Sequence, residues 1–195
     1  MGQDSRQHRA RLRRHPERSV PPEAPAILAA GLVVHVGFVH DGEPCVIPMA
    51  YHYDPATPRA LYLHGAHPSR LLGHVASGAP IALAVTLVDG LVFSRTALYH
   101  SVNYRSVVCF AHAAPPLDRH EAAVALEAMI ARYFPGRTAG QDYAAPPAQD
   151  IDATSVIALE IDDWSAKVRR GGPTGPLDGD PNAPGSAGVV DLHRP

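Results

Sequence analysis

The sequence predicts a mainly β fold, a small closed barrel with flanking helices. Short apolar, β-branched runs recur along most of the chain. Asp-Gly pairs stand between such runs at Asp41-Gly42 and Asp89-Gly90, and that dipeptide supplies the positive φ angles of tight hairpin turns. Few stretches carry helical spacing. Antiparallel strands joined by hairpins close best as a barrel, which removes its own sheet edges.

The elements follow in chain order. EAPAILAA, 23–30, reads as a short helix ended by Gly31 as C-cap. LVVHVGFVH is the first strand, and CVIPMAYHY, beyond the Asp41-Gly42 turn, is the second. Arg59 to His64 forms a third. A helix over 68–77 begins with Pro68, which sacrifices no needed hydrogen bond in a first turn, and Leu71, Leu72 and Val75 share one face. Two strands, 81–88 and 91–99, meet at the Asp89-Gly90 hairpin. Tyr104 to Ala111 is a further strand. His120 to Phe134 is amphipathic, with Ala123, Leu126, Met129, Ile130 and Tyr133 spaced for a helix, and Pro135-Gly136 stops it. Residues 137–151 read as loop and SVIALEI, 155–161, as the last strand. The count is six or seven strands with two or three helices.

Three parts are expected: a basic arm over 1–22, a barrel over 23–170, and a Gly- and Pro-rich tail over 171–195 that reads as poorly ordered. The arm carries Arg6, Arg9, Arg11, Arg13, Arg14 and Arg18. It lacks interleaved aromatics, so a solvated or docked segment fits it better than a nucleic-acid patch.

Of the 195 residues, 46% are hydrophobic and 18% charged, enough apolar material for a core and too little charge for disorder. A formal charge of -2 argues against a general nucleic-acid binder. No apolar run is long enough for a membrane helix, and the arginine-rich start lacks the apolar centre of a secretory signal. Cys45 and Cys109 are too few for a disulfide scaffold, so a reducing, cytoplasmic setting is expected.

Phosphate loops, nucleophile elbows and zinc-protease motifs are absent. The most informative stretch is LYLHGAHPSRLLGHV, 61–75. A strand runs into Gly65 and a helix follows, where Ser69 and Arg70 could hold a phosphate; an ordinary capped helix is the alternative. His64, His67 and His74 do not complete a metal set, so no metal site is expected, although one of them could ligate a haem. HSVNYRSVVCF, 100–110, places Arg105 at the start of an apolar strand, where burial would require a carboxylate or a ligand phosphate. The basic run 166–170, after the last strand, is a turn or a phosphate contact. Asp162-Asp163, near a strand end, reads as a solvated turn.

HVGFVHDGEPCVIPMAY, LYLHGAHPSRLL, TLVDGLVFSRTALYHSVNYRSVV and SAKVRRG, in that order from about Arg11 to Arg170, together resemble the pyridoxamine 5′-phosphate oxidase-related, FMN-binding split-barrel superfamily. Within it the chain is similar to the branch of nitroimidazole-resistance and flavin-nucleotide-binding proteins. The resemblance implies a six-stranded antiparallel split barrel that pairs as a homodimer, with FMN in clefts between subunits and a small molecule as substrate. It implies that Pro48, Met49, Ala50 and Tyr51 line the ring, with His64, Gly65 and Ala66 passing close to it. Ser69 and Arg70 would bind the phosphate; Arg105 and Ser106 would contact the cofactor or the partner chain; Lys167, the sole lysine, matches a C-terminal basic element. His64 matches a ligand-adjacent histidine and is the expected reactive residue. The tail PNAPGSAGVV lacks a tryptophan that many relatives carry, and residues for vitamin B6 oxidation find no match. The reading is a flavin-dependent oxidoreductase; the alternatives are a non-catalytic flavin or haem binder and a deazaflavin-dependent reductase.

Overall fold

The computed structural model describes residues 10–67 and 69–192; the expectations placed on Arg6, Arg9 and Pro68 lie outside them. Strands β1 (Val33–His40), β2 (Glu43–His52), β3 (Ala60–Ala66), β4 (Ile81–Phe93), β5 (Ser101–Ala113) and β6 (Thr154–Arg169) pair in the order β1-β2-β3-β6-β5-β4, and β4 returns to β1, so six antiparallel strands close a ring. A seventh strand, β7 (Gly188–Asp191), adds to β4 outside that ring. Helices α1 (Ala24–Ala30), α2 (Arg70–Ala76), α3 (Arg119–Tyr133) and α4 (Ala148–Asp152) flank it.

Period-2 burial builds the core. Val34, Val36, Leu61, Leu63, Ile81, Leu83, Val85, Val107 and Cys109 point inward and are buried, with Ile27 and Leu28 of α1 and Leu71, Leu72 and Val75 of α2 packed on them. The Asp41-Gly42 turn forms as expected, with φ of 51° and 81°. Gly31 does end α1, yet with an extended φ of -75°. Its lack of a side chain matters for space, because a Cβ there would lie 2.4 Å from Val85 Cγ1 and 2.6 Å from the Tyr51 hydroxyl.

Several expectations are corrected. Asp89-Gly90 makes no hairpin: β4 runs through it with a bulge. Arg105 holds the Asp89 carboxylate from Nε at 2.9 Å and Nη2 at 2.7 Å, and Gly90 lacks a positive φ. The chain turns instead after Phe93, through a 3₁₀ turn at Ala97–Tyr99. Strand β6 extends to Arg169, so Asp162-Asp163 and Lys167 lie within it. Residues 148–152 form α4 inside the expected loop.

The tail is also built. The Asp178 carboxylate accepts from Ser94 Oγ and from the Arg95 amide, each at 2.8 Å, and the Arg95 guanidinium donates to the carbonyls of Ala183 and Gly185. Past this clamp, β7 lies so near β4 that a Cβ on Gly90 would sit 2.8 Å from the Val190 carbonyl oxygen. The arm docks as well, with the Val20 amide donating to the Ala166 carbonyl at 3.0 Å.

Helix α3 begins with a reciprocal Asp118–Glu121 capping box. Near its end, Arg132 donates to the carbonyls of Leu28, Ala29, Gly31 and Tyr51, and the Tyr133 hydroxyl accepts from the Tyr51 amide at 3.0 Å. Arg132→Ala strands several carbonyls, and charge-assisted bonds contribute about 1.5–3 kcal/mol each. Urea unfolding should show a loss of about 3 kcal/mol or more, only partly restored by lysine, which lacks the planar fork.

Candidate functional site

Register places the candidates more sharply than spacing does. On β3, Leu61 and Leu63 are buried, so Tyr62, His64 and Ala66 face outward. The pairing Tyr51↔Leu63 sets Ala50 beside His64 on that outer face. Pro48 and Ala50 are exposed there, whereas Met49 and Tyr51 turn inward. Tyr51 is fully buried, its hydroxyl donates to the Leu28 carbonyl at 2.6 Å, and burial pushes its pKa up to about 12. The stretch 48–51 therefore offers its backbone and two small side chains to the outer face, not four side chains.

His64 Nδ1 is buried and has no hydrogen-bond partner. Gly65 packs inward under α2, where a Cβ would lie 3.1 Å from Leu72 Cδ1. Ser69 is the N-cap of α2, its Oγ accepting from the Leu72 amide at 3.3 Å, which leaves the hydroxyl proton free to donate. Arg70 is exposed and makes no hydrogen bond or ion pair with another described residue. The three histidines of this stretch part company: His67 meets Ser155 Oγ at 2.7 Å, His74 packs on Phe38 with ring centroids 4.9 Å apart, and His64 stands on β3. Among the described residues no cluster of three or more metal-ligating side chains forms.

The remaining candidates lie elsewhere. Ser106 pairs with Lys167 across β5 and β6, and Arg105 with Val168, while Gly65 pairs with Ser155 at the opposite end of β6. Twelve residues of strand separate the two groups, roughly 40 Å along the chain. One barrel thus carries His64, Ser69 and Arg70 near α2, and Arg105, Ser106 and Lys167 near α1, where Glu23 also binds Arg170 at 2.6 Å. Arg105 has met its partner in Asp89.

Two features were missed by spacing. His52 stands on the outer face opposite Tyr62, 5.7 Å between ring centroids, with Nδ1 buried and unpartnered. It helps line a cavity of about 470 Å³ with Asp54, His120 and Glu121. A second cavity, of about 480 Å³, opens beside Ser69 between α2, α3 and α4. Period-2 reading would have put His52 on the same face as Ala50 and so found it; the second cavity needed tertiary packing. Among the described residues no helix is long and apolar enough to cross a membrane.

The profile of the family described as pyridoxamine 5′-phosphate oxidase matches residues 21–168. The chain is similar to the FAD and haem binding protein of Mycobacterium smegmatis, at 31% identity over 90% of this chain and 84% of that one, with a TM-score of 0.78. It is similar to the flavocytochrome Anf3 of Azotobacter vinelandii, at 29% identity over 96% and 86%, with a TM-score of 0.79. A protein assigned to 5-nitroimidazole antibiotic resistance in Bacteroides thetaiotaomicron shares the fold at 18% identity over 77% and 86%, with a TM-score of 0.62. No curated protein matches the sequence.

Burial first, and the positive charge of Arg132 second, hold the His52 pKa below its usual 6.5. The folded state therefore resists protonation that the unfolded chain accepts, so this group's contribution to stability is present above pH 6.5 and is lost as pH falls below it. His52→Gln should flatten the loss of thermal stability between neutral and mildly acid pH relative to the parent, as read by melting at a series of pH values.

Proposed function

The chain belongs to the pyridoxamine 5′-phosphate oxidase family, and on that basis we propose that it binds a flavin and uses it to oxidise or reduce a small molecule. What carries this reading is likeness over 90% or more of the chain to one protein named for FAD and haem and another named a flavocytochrome. FMN is the flavin that the family resemblance implies. FAD shares its ring and first phosphate, so the same residues serve either.

When bound, the flavin supplies hydride or electron transfer. The Ser69 hydroxyl and the Arg70 guanidinium bind the phosphate, a charge-assisted contact for which Arg70, without an ion-pair partner among the described residues, is available. The outer-face backbone at Pro48–Tyr51 and at His64–Ala66 flanks the ring. His64 holds or delivers a proton to the small molecule.

Arg105, Ser106 and Lys167 are too far along β6 to reach the same cofactor within one chain. They serve it from a second copy, which makes the working unit a homodimer with a site shared between protomers. Exposed apolar side chains on the outer barrel face, Val33 on β1, Val46 on β2 and Val108 on β5, are suited to such a contact.

A second reading adds haem. The buried, unpartnered Nδ1 of His64 and the haem in the name of the 31%-identical protein favour it, with His64 or His67 as axial ligand. In its simplest form this is a binding protein without turnover.

The visible spectrum of the purified protein tests both. Flavin absorbance, with flavin reduction by NAD(P)H and reoxidation by a nitro compound or quinone, supports the first reading. A Soret band abolished by His64→Ala supports the second. A colourless protein that takes up neither FMN, FAD nor haemin overturns both. Arg70→Ala should weaken flavin binding roughly 10- to 100-fold by titration of the flavin fluorescence; unchanged affinity removes Arg70 from the site.

A further inference from the structure

The small molecule of the proposed reaction needs a place beside the flavin ring, and the outer face of the barrel offers one. Ala50 and His64 form one outward pair across β2 and β3, and His52 and Tyr62 form the next. Successive outward pairs lie about 7 Å apart along a strand. The cavity of about 470 Å³ opens over this second pair, with α3 as its far wall. Its size falls within the roughly 300–1,000 Å³ of small-molecule sites.

The lining carries two carboxylates, Asp54 and Glu121, and neither lysine nor arginine. Backbone amides fix one oxygen of each: Asp54 Oδ1 accepts from the Ala56 amide and Glu121 Oε2 from the Asp118 amide, both at 2.8 Å. Asp54 Oδ2 and Glu121 Oε1 have no hydrogen-bond or ion-pair partner among the described residues. Arg132, whose charge reaches His52, is engaged by four backbone carbonyls and is not part of the lining. The remaining walls suit an apolar body with a positive charge. Tyr62 and His52 stand 5.7 Å apart by ring centroids, tilted by 41°, and Val124 of α3 is half exposed. A tyrosine ring face attracts a cation. His52 does not oppose one: a second proton on its buried Nδ1 would find no acceptor, so the ring stays neutral.

We infer that this cavity selects the substrate of the flavin, and that the substrate is a small organic cation, an aromatic or apolar body bearing a protonated amine; the inference rests on the flavin reading, which sets the ring beside His64. Asp54 and Glu121 receive the ammonium group through charge-assisted hydrogen bonds, and Tyr62 and Val124 receive the body. A phosphate ester such as pyridoxamine 5′-phosphate meets two carboxylates there, and like charges repel it.

Benzylamine, benzyl alcohol and benzoate share one ring and differ in charge. Their binding to the full chain is measured by calorimetry at neutral pH in the parent, in Asp54→Asn and in Glu121→Gln. Both amides keep an oxygen for the backbone bond, so the turn and the helix cap survive. Benzylamine should bind the parent at least about tenfold more tightly than benzyl alcohol, with benzoate weakest. Each variant should lose about fivefold for benzylamine and nothing for benzyl alcohol, which also reports an intact fold. In the flavin-loaded protein benzylamine should shift the flavin absorbance band. Absence of benzylamine binding, equal affinity for benzylamine and benzyl alcohol, or unchanged benzylamine affinity in both variants overturns the inference while flavin binding stands. Benzylamine binding that leaves the flavin band unmoved overturns the substrate assignment. A parent that takes up no flavin overturns the flavin reading itself, and this assignment with it.

Discussion

The barrel depends on one arginine. Two segments distant in sequence converge on it, the stretch from the end of α1 through Gly31 and the exit of β2 at Tyr51, and each brings backbone carbonyls. Arg132 gathers four of them, and its guanidinium also lies 4.6 Å from the Tyr51 ring centroid. Buried carbonyls without donors are costly, so the close seating of α1 on the barrel requires a donor with several N–H groups in one plane. Arginine alone among the side chains offers that fork. Gly31, pressed between Val85 and Tyr51, belongs to the same arrangement.

This constraint reaches the candidate site through Tyr51. Tying its carbonyl and amide to α3 fixes the exit of β2, and the register of β2 on β3 decides that Ala50 and His64 share a face. His52, one residue on, is left with a buried, unpartnered ring nitrogen close enough to feel the Arg132 charge. Structural anchoring and the electrostatics of the outer face are thus parts of one cluster.

Local chemistry made much of the fold legible. Asp41-Gly42 reads correctly because both residues adopt positive φ and the aspartate's partner, His40 at 3.5 Å, is its own neighbour in the chain. The same dipeptide at 89–90 misleads because its aspartate is held by Arg105, sixteen residues away and invisible to a local pattern. The Gly- and Pro-rich tail misleads for a related reason: it is held by the Asp178 carboxylate on Ser94 and Arg95 and by the Arg95 guanidinium on the carbonyls of Ala183 and Gly185, and composition does not register such long-range contacts. For the candidate site, residue types and order were readable. Their division between two ends of β6 was not, because that division follows from the length of β6 and its register with both neighbours.

Strand β7 has a bearing on solubility. The second half of β4 leaves the closed ring, and without a neighbour on that side its amides and carbonyls would stand as a template for any extended chain. The tail occupies that edge and presents in its place only four residues, the last of them Asp191. A short border ending in a charge is poor at recruiting further strands, so the C-terminal segment shields the barrel from edge-to-edge aggregation at high concentration.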